Sequence, residues 1–118
     1  MADVRTTLQF LIMVDGPLTA AELLDLIRSR LPDAVPYRRD SVDVCGNLLE
    51  INPNEDADRR LAATDEDDYL YFRWRVELTP MDDTIDERHQ IGLARELLRA
   101  IEGPQARATV CAAFEDRV

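Results

Sequence analysis

Lysine is missing altogether from these 118 residues, so each of the 14 basic side chains is an arginine. That absence excludes a P-loop lysine, a Schiff-base amine and a lysine general base. Glycine occurs only at positions 16, 46, 92 and 103, too scattered to build a glycine-rich phosphate cradle. Histidine occurs once, as His89, and serine twice, as Ser29 and Ser41. Neither serine has the strand–turn–helix setting of a nucleophile elbow. At ~100° per residue, His89 lies roughly 160° from Ile91 on the same helix and is expected at the surface. Cys45 and Cys111 form no Cys-x-x-Cys pair, the usual sign of a metal or redox site. No apolar run approaches the ~18 residues that span a bilayer. The longest, Leu8–Val14, covers seven residues and contains Gln9. The opening Met-Ala-Asp-Val-Arg lacks the basic-then-apolar layout of a secretion signal. These absences lead to the expectation of a cytoplasmic protein that is not an enzyme and carries neither cofactor nor metal.

What is abundant is negative charge. Twenty-four carboxylates against 14 arginines give a net charge of −10. Such a field disfavours nucleic-acid backbones and anionic membranes and favours basic proteins or cations. The same charge also serves plain solubility. With 46% apolar residues, the chain has enough material for one core and reads as a single α+β domain over 1–118.

Hydrophobic periodicity sets the expected order of elements. Val4–Val14 alternates as a strand with apolar residues on both faces, and Asp15-Gly16-Pro17 ends it. Thr19-Ala-Ala-Glu22 is a capping box opening a helix with the stripe Ala20, Leu23, Leu24, Ile27 and Leu31, stopped by Pro32. Val42–Asn52 reads as a second strand with a bulge or tight turn at Gly46-Asn47. Asn54–Asp68 reads as a polar acidic loop. Tyr69–Leu78 gives a third strand whose core face would be Leu70, Phe72, Trp74, Val76 and Leu78. Thr84-Ile-Asp-Glu87 reads as a second capping box, before a helix with the stripe Ile91, Ala94, Leu97, Leu98 and Ile101. Arg107–Glu115 is the last strand. The order β-α-β-β-α-β predicts a ferredoxin-like domain, a four-stranded antiparallel sheet ordered 4-1-3-2 with both helices on one face.

Chemistry-bearing residues are few. Asn54, Asp56, Asp58 and Asp65 match offsets of a calcium loop, but Arg59 stands at the glycine turn position and Asp65 replaces the bidentate glutamate. A solvated acidic loop is the better reading. On the outward face of the third strand, Tyr69, Tyr71, Arg73 and Arg75 would stand together. Tyrosine and arginine there fit a protein interface, cross-strand ion pairing, or base stacking of the kind RNA-binding sheets use. Net charge opposes the last. The run Asp65, Glu66, Asp67 and Asp68 could steer a basic partner, or serve only as a solvated face.

In size, charge and element order the chain resembles the small acidic immunity proteins that bacteria encode beside polymorphic toxins. The run Asp68-Tyr-Leu-Tyr-Phe-Arg-Trp-Arg-Val-Glu77 and the closing Ala113-Phe-Glu-Asp116 carry that resemblance. It implies a non-catalytic antitoxin that occludes a basic toxin domain. Members share no catalytic residues and differ in their inhibitory contacts, so the resemblance assigns no site. The expected contacts are therefore those read from the residues: Tyr69, Tyr71, Arg73, Arg75 and Asp65, Glu66, Asp67, Asp68. The alternative is a ferredoxin-like homodimer with a small-molecule or enzymatic site at the sheet face.

Overall fold

Alternation along β1 (Phe10–Asp15) points Phe10, Ile12 and Val14 into one core and Met13 into another. A strand apolar on both faces belongs inside a sheet, and β1 lies between β5 and β6. The computed structural model describes residues 8–38 and 41–118. Residues 4–7 of the expected first strand lie outside the described part, and Leu8 precedes the strand rather than joining it.

The architecture is mixed α+β, with three helices and a six-stranded antiparallel sheet among the described residues. The strands are β1, β2 (Val35–Arg38), β3 (Ser41–Val44), β4 (Asn47–Pro53), β5 (Trp74–Pro80) and β6 (Arg107–Cys111). They lie in the order β2-β3-β4-β5-β1-β6. Helices α1 (Ala20–Arg30) and α3 (Glu87–Ile101) pack on one face, and the short α2 (Arg59–Thr64) packs on the other.

Several sequence expectations are corrected here. The first is the four-stranded sheet: Val42–Asn52 is a hairpin rather than one strand, and β2 adds an edge. Val44 pairs with Asn47, so the turn is Cys45-Gly46, with φ of 52° and 80° respectively. Positive φ at both central residues suits the right-handed twist of the flanking strands. Asp43 Oδ1 accepts the Gly46 N–H at 3.0 Å. Cys45 occupies a backbone region that favours glycine.

The second correction concerns Tyr69–Leu78. Asp68–Tyr71 forms a 3-10 turn, and the extended chain begins at Trp74. The buried Asn54 amide donates to the carbonyls of Leu70 (2.9 Å) and Phe72 (2.7 Å), and Asp58 N–H donates to Tyr71 O (3.1 Å). These bonds draw the segment out of the ladder. Leu70, expected in the core, is 46% exposed, and Phe72 is buried on the α2 side instead.

The helices follow their caps. Thr19 and Glu22 form the expected reciprocal capping box of α1. Helix α3 starts later than expected, because Asp86 rather than Thr84 is its N-cap, accepting His89 N–H at 2.8 Å. Its fully buried face includes Gln90, Leu93, Ala94, Leu97 and Ile101, while Ile91 and Leu98 are half-buried. Phe114, expected in the last strand, lies beyond β6 and meets Phe10 edge to face at 5.6 Å.

The polar centre of this core is an amide pair. Asn47 Nδ2 donates to Gln90 Oε1 at 3.0 Å, and Gln90 Nε2 donates to Asn47 Oδ1 at 2.8 Å and to Leu8 O at 3.0 Å. Both side chains are wholly buried. Replacing Gln90 with Leu bares the Asn47 amide and the Leu8 carbonyl, at about 1–3 kcal/mol per orphaned group. Gln90→Leu is therefore expected to lower the urea midpoint sharply. Adding Asn47→Leu should then cost less than the sum of the single changes, as a double-mutant cycle will measure.

Candidate protein-binding site

The β1–α1 turn, the chain entering α2 and the Tyr71–Arg73 segment meet around an open cleft of about 800 Å³. Asp15, Gly16, Asp58, Arg59, Tyr71 and Arg73 line it. Gly16 has a φ of 145°, and a Cβ there would lie 2.2 Å from Gln105 O, so only glycine lets the turn close against that backbone.

Of the eight expected contact residues, only Tyr71 and Arg73 reach this cleft. Arg73 donates through Nη1 to Leu18 O at 3.2 Å and lies over the Trp74 ring at 4.8 Å. Trp74 Nε1 donates to the same carbonyl at 2.8 Å. Arg73 thus keeps most of its donors while its plane is fixed by stacking. Tyr69 is half-buried with Met13, Ala62 and Phe72, and burial pushes its phenol above the ordinary value. Arg75 is elsewhere, across the sheet from Met13 and Asn52 and paired with Glu77 at 3.5 Å. The expected row of Tyr69, Tyr71, Arg73 and Arg75 on one strand face is therefore broken up, because the 3-10 turn interrupts the two-residue period.

The acidic run divides likewise. Glu66 and Asp67 are exposed. Asp65 terminates α2, and its Oδ1 accepts Asp67 N–H at 2.8 Å. Asp68 is held by Arg107 at 3.2 Å. Of the residues that resembled a calcium loop, Asn54 anchors the 3-10 segment, and Asp58 caps α2 by accepting from Arg60 and Leu61 N–H. Among the described residues no group of three or more His, Cys, Asp or Glu is placed to hold a metal.

Arg107 is the residue that sequence reading missed. Its guanidinium donates to Ala62 O at 2.8 Å, pairs with Asp68 and with Asp15 at 3.5 Å, and covers the Phe72 ring at 4.7 Å. One side chain thereby fastens α2 and the 3-10 turn to β6 and β1. Nothing in a lone arginine opening a strand could announce this.

Register also places Glu50 directly opposite Glu77 on the sheet face away from α1 and α3, with Asp43 on the neighbouring strand. Glu77 is relieved by Arg75 and by Asn52 Nδ2 at 3.2 Å. Glu50 has no such partner among the described residues. Like charges opposed across strands cost stability, and the sheet tolerates them here because this face is half-exposed.

His89, although exposed, shares a 2.8 Å hydrogen bond between Nε2 and Cys45 O. Both cysteines are free thiols. They stand near opposite ends of the strand order, Cys45 in the β3–β4 turn and Cys111 in β6. Among the described residues no helix is long and apolar enough to cross a membrane. No family model, curated protein or solved structure matches the chain.

Two expected outcomes follow from this geometry. Arg107→Lys keeps a charge but loses the fork, so amides of residues 58–72 should exchange hydrogen faster while α3 amides stay protected. Desolvation first, then Asp33, Glu96 and Asp43, raises the Cys45 thiol; desolvation, then Glu115, raises Cys111. Less thiolate is therefore present near neutral pH than in a free cysteine. Iodoacetamide labelling followed by mass spectrometry should be slow at both sites and accelerate only at higher pH than for free cysteine.

Proposed function

We propose that this domain is a non-enzymatic acidic protein-binding module, an immunity- or antitoxin-type inhibitor that occludes a basic toxin domain. The observation that carries the proposal is the local concentration of charge. Between Glu50 and Asp68 fall eight of the 24 carboxylates and only two of the 14 arginines. This stretch runs through β4 and α2 beside the cleft that holds Tyr71 and Arg73. Exposed carboxylates there would raise the encounter rate with a basic surface. Tyrosine and a stacked arginine are the side chains most often found anchoring such contacts once formed. In fold terms we read β6-β1-β5-β4 with α1 and α3 as a ferredoxin-like unit in the order 4-1-3-2, extended at one edge by β3 and β2.

The partner to test is any basic toxin-like domain found encoded beside this gene, with growth rescue and surface plasmon resonance as readouts. Asp65 and Asp68 are structurally engaged, so the steering set is better drawn from Glu55, Asp56, Glu66 and Asp67. Neutralising these four to amides should slow association and flatten its salt dependence, with dissociation little changed. Tyr71→Ala should instead speed dissociation, by an amount equivalent to ~1–3 kcal/mol. A neighbouring domain that neither binds nor harms growth would sink the toxin reading. Unchanged association kinetics in the four-site variant would reduce the acidic stretch to a solvated surface.

A further inference from the structure

A second concavity lies on the other side of the β1–α1 turn, between α1 and the α3–β6 connection, with a volume of about 560 Å³. That size falls within the usual range of ligand-binding clefts. Its floor is apolar: Leu18 and Leu26 are half-buried, and Ile101 and Ala106 are nearly buried. The groove stays open because small residues, Ala100 and Gly103, stand on the side facing α1. The Gly103↔Ala106 bridge then holds the connection in a tight bend.

The rim is charged, and the charge is one-sided. Glu22 and Asp25 stand one turn apart on α1, and Glu102 faces them from the end of α3. Arg30 is the only cation among the lining residues. Glu22 keeps its charge because Thr19 N–H and hydroxyl hold its carboxyl below the ordinary value.

We infer that this groove docks a segment of a partner protein bearing aliphatic side chains flanked by arginine or lysine. The apolar floor takes the aliphatic groups, and carboxylates on both walls take the cations, so the occupant must supply both. Net charge argues against the other occupants. A second copy of a chain with net charge −10 would bring its own acidic rim against this one. An anionic ligand meets three carboxylates. The groove shares no lining residue with the Tyr71 and Arg73 cleft, although Arg73 bonds Leu18 O and lies near enough to Glu22 to favour its charge, and the inference stands without the toxin reading.

The test uses the whole protein and a fluorescein-labelled hexapeptide, Arg-Leu-Leu-Arg-Leu-Arg, followed by fluorescence polarisation and amide NMR shifts. The wild type should bind it, with shifts centred on α1 and residues 100–106, and binding should weaken in high salt. Asp25→Asn and Glu102→Gln together, which leave the Thr19–Glu22 cap intact, should weaken binding at least tenfold at an unchanged melting temperature. Leu26→Ala should weaken it through the floor. Substituting Glu for the peptide's arginines, or Ala for its leucines, should abolish the groove shifts. The inference is overturned if the wild type fails to bind or the rim variant binds as well as wild type. Shifts that instead map to α2 and Tyr71 overturn it too. Sedimentation showing a dimer that Ser29→Trp dissociates would assign the groove to a second copy and likewise overturn it. None of these results depends on whether a neighbouring basic domain binds.

Discussion

The reciprocal amide pair of Asn47 and Gln90 ties together parts of the molecule that apolar packing alone would leave free to slide. Asn47 opens β4, Gln90 lies in the first turn of α3, and the spare N–H of Gln90 fixes the carbonyl of Leu8 just before β1. Apolar contacts are non-directional, so a shift of one helical turn, or of two residues along a strand, keeps the same faces inward and is only weakly opposed by them. A buried bidentate amide pair opposes it strongly, because a slip would strand four polar groups away from water. The register of β4 against β5, the height of α3 on the sheet and the start of β1 are therefore fixed jointly.

With that face closed, the second face of the sheet is divided. Arg107 and Asn54 hold α2 and the 3-10 turn over Met13 and Phe72, covering one end. The other end keeps Glu50, Glu77 and Asp43 half-exposed. A chain without lysine must do such fastening with guanidinium groups. Arg107 shows why this works: one planar fork reaches a carbonyl, two carboxylates and an aromatic face at once. Each of its exposed ion pairs is worth little alone. Convergence on a single side chain makes them act together.

The same division separates the two kinds of carboxylate. Asp15, Glu22, Asp58, Asp65, Asp68 and Asp86 are spent on caps, turns and the Arg107 network. Glu55, Asp56, Glu66 and Asp67 stand exposed, as do Asp25 and Glu102 on the rim of the α1–α3 groove. Negative charge is thus partly structural and partly available. Binding chemistry can draw only on the available part.

Local rules reached as far as local causes did. The Thr19–Glu22 box, the stop at Pro32, the alternation of Phe10, Ile12 and Val14, and the Ala94, Leu97 and Ile101 part of the α3 stripe depend on neighbours within a turn or two, so residue types fixed them. The missing lysine, the lone His89 and the scattered glycines were equally plain. The break expected at Gly46-Asn47, as a bulge or a tight turn, lies one residue earlier as the Cys45-Gly46 turn, because a cysteine at positive φ departs from the residue preference of such turns. The third strand was overextended because its alternation is real in sequence, yet Asn54 competes for the carbonyls of Leu70 and Phe72 from 16 and 18 residues away. The cleft, the Arg107 hub, the Glu50–Glu77 opposition and the groove between α1 and α3 each join segments distant in the chain. No periodicity encodes such encounters; they exist only once the sheet order has brought the segments together.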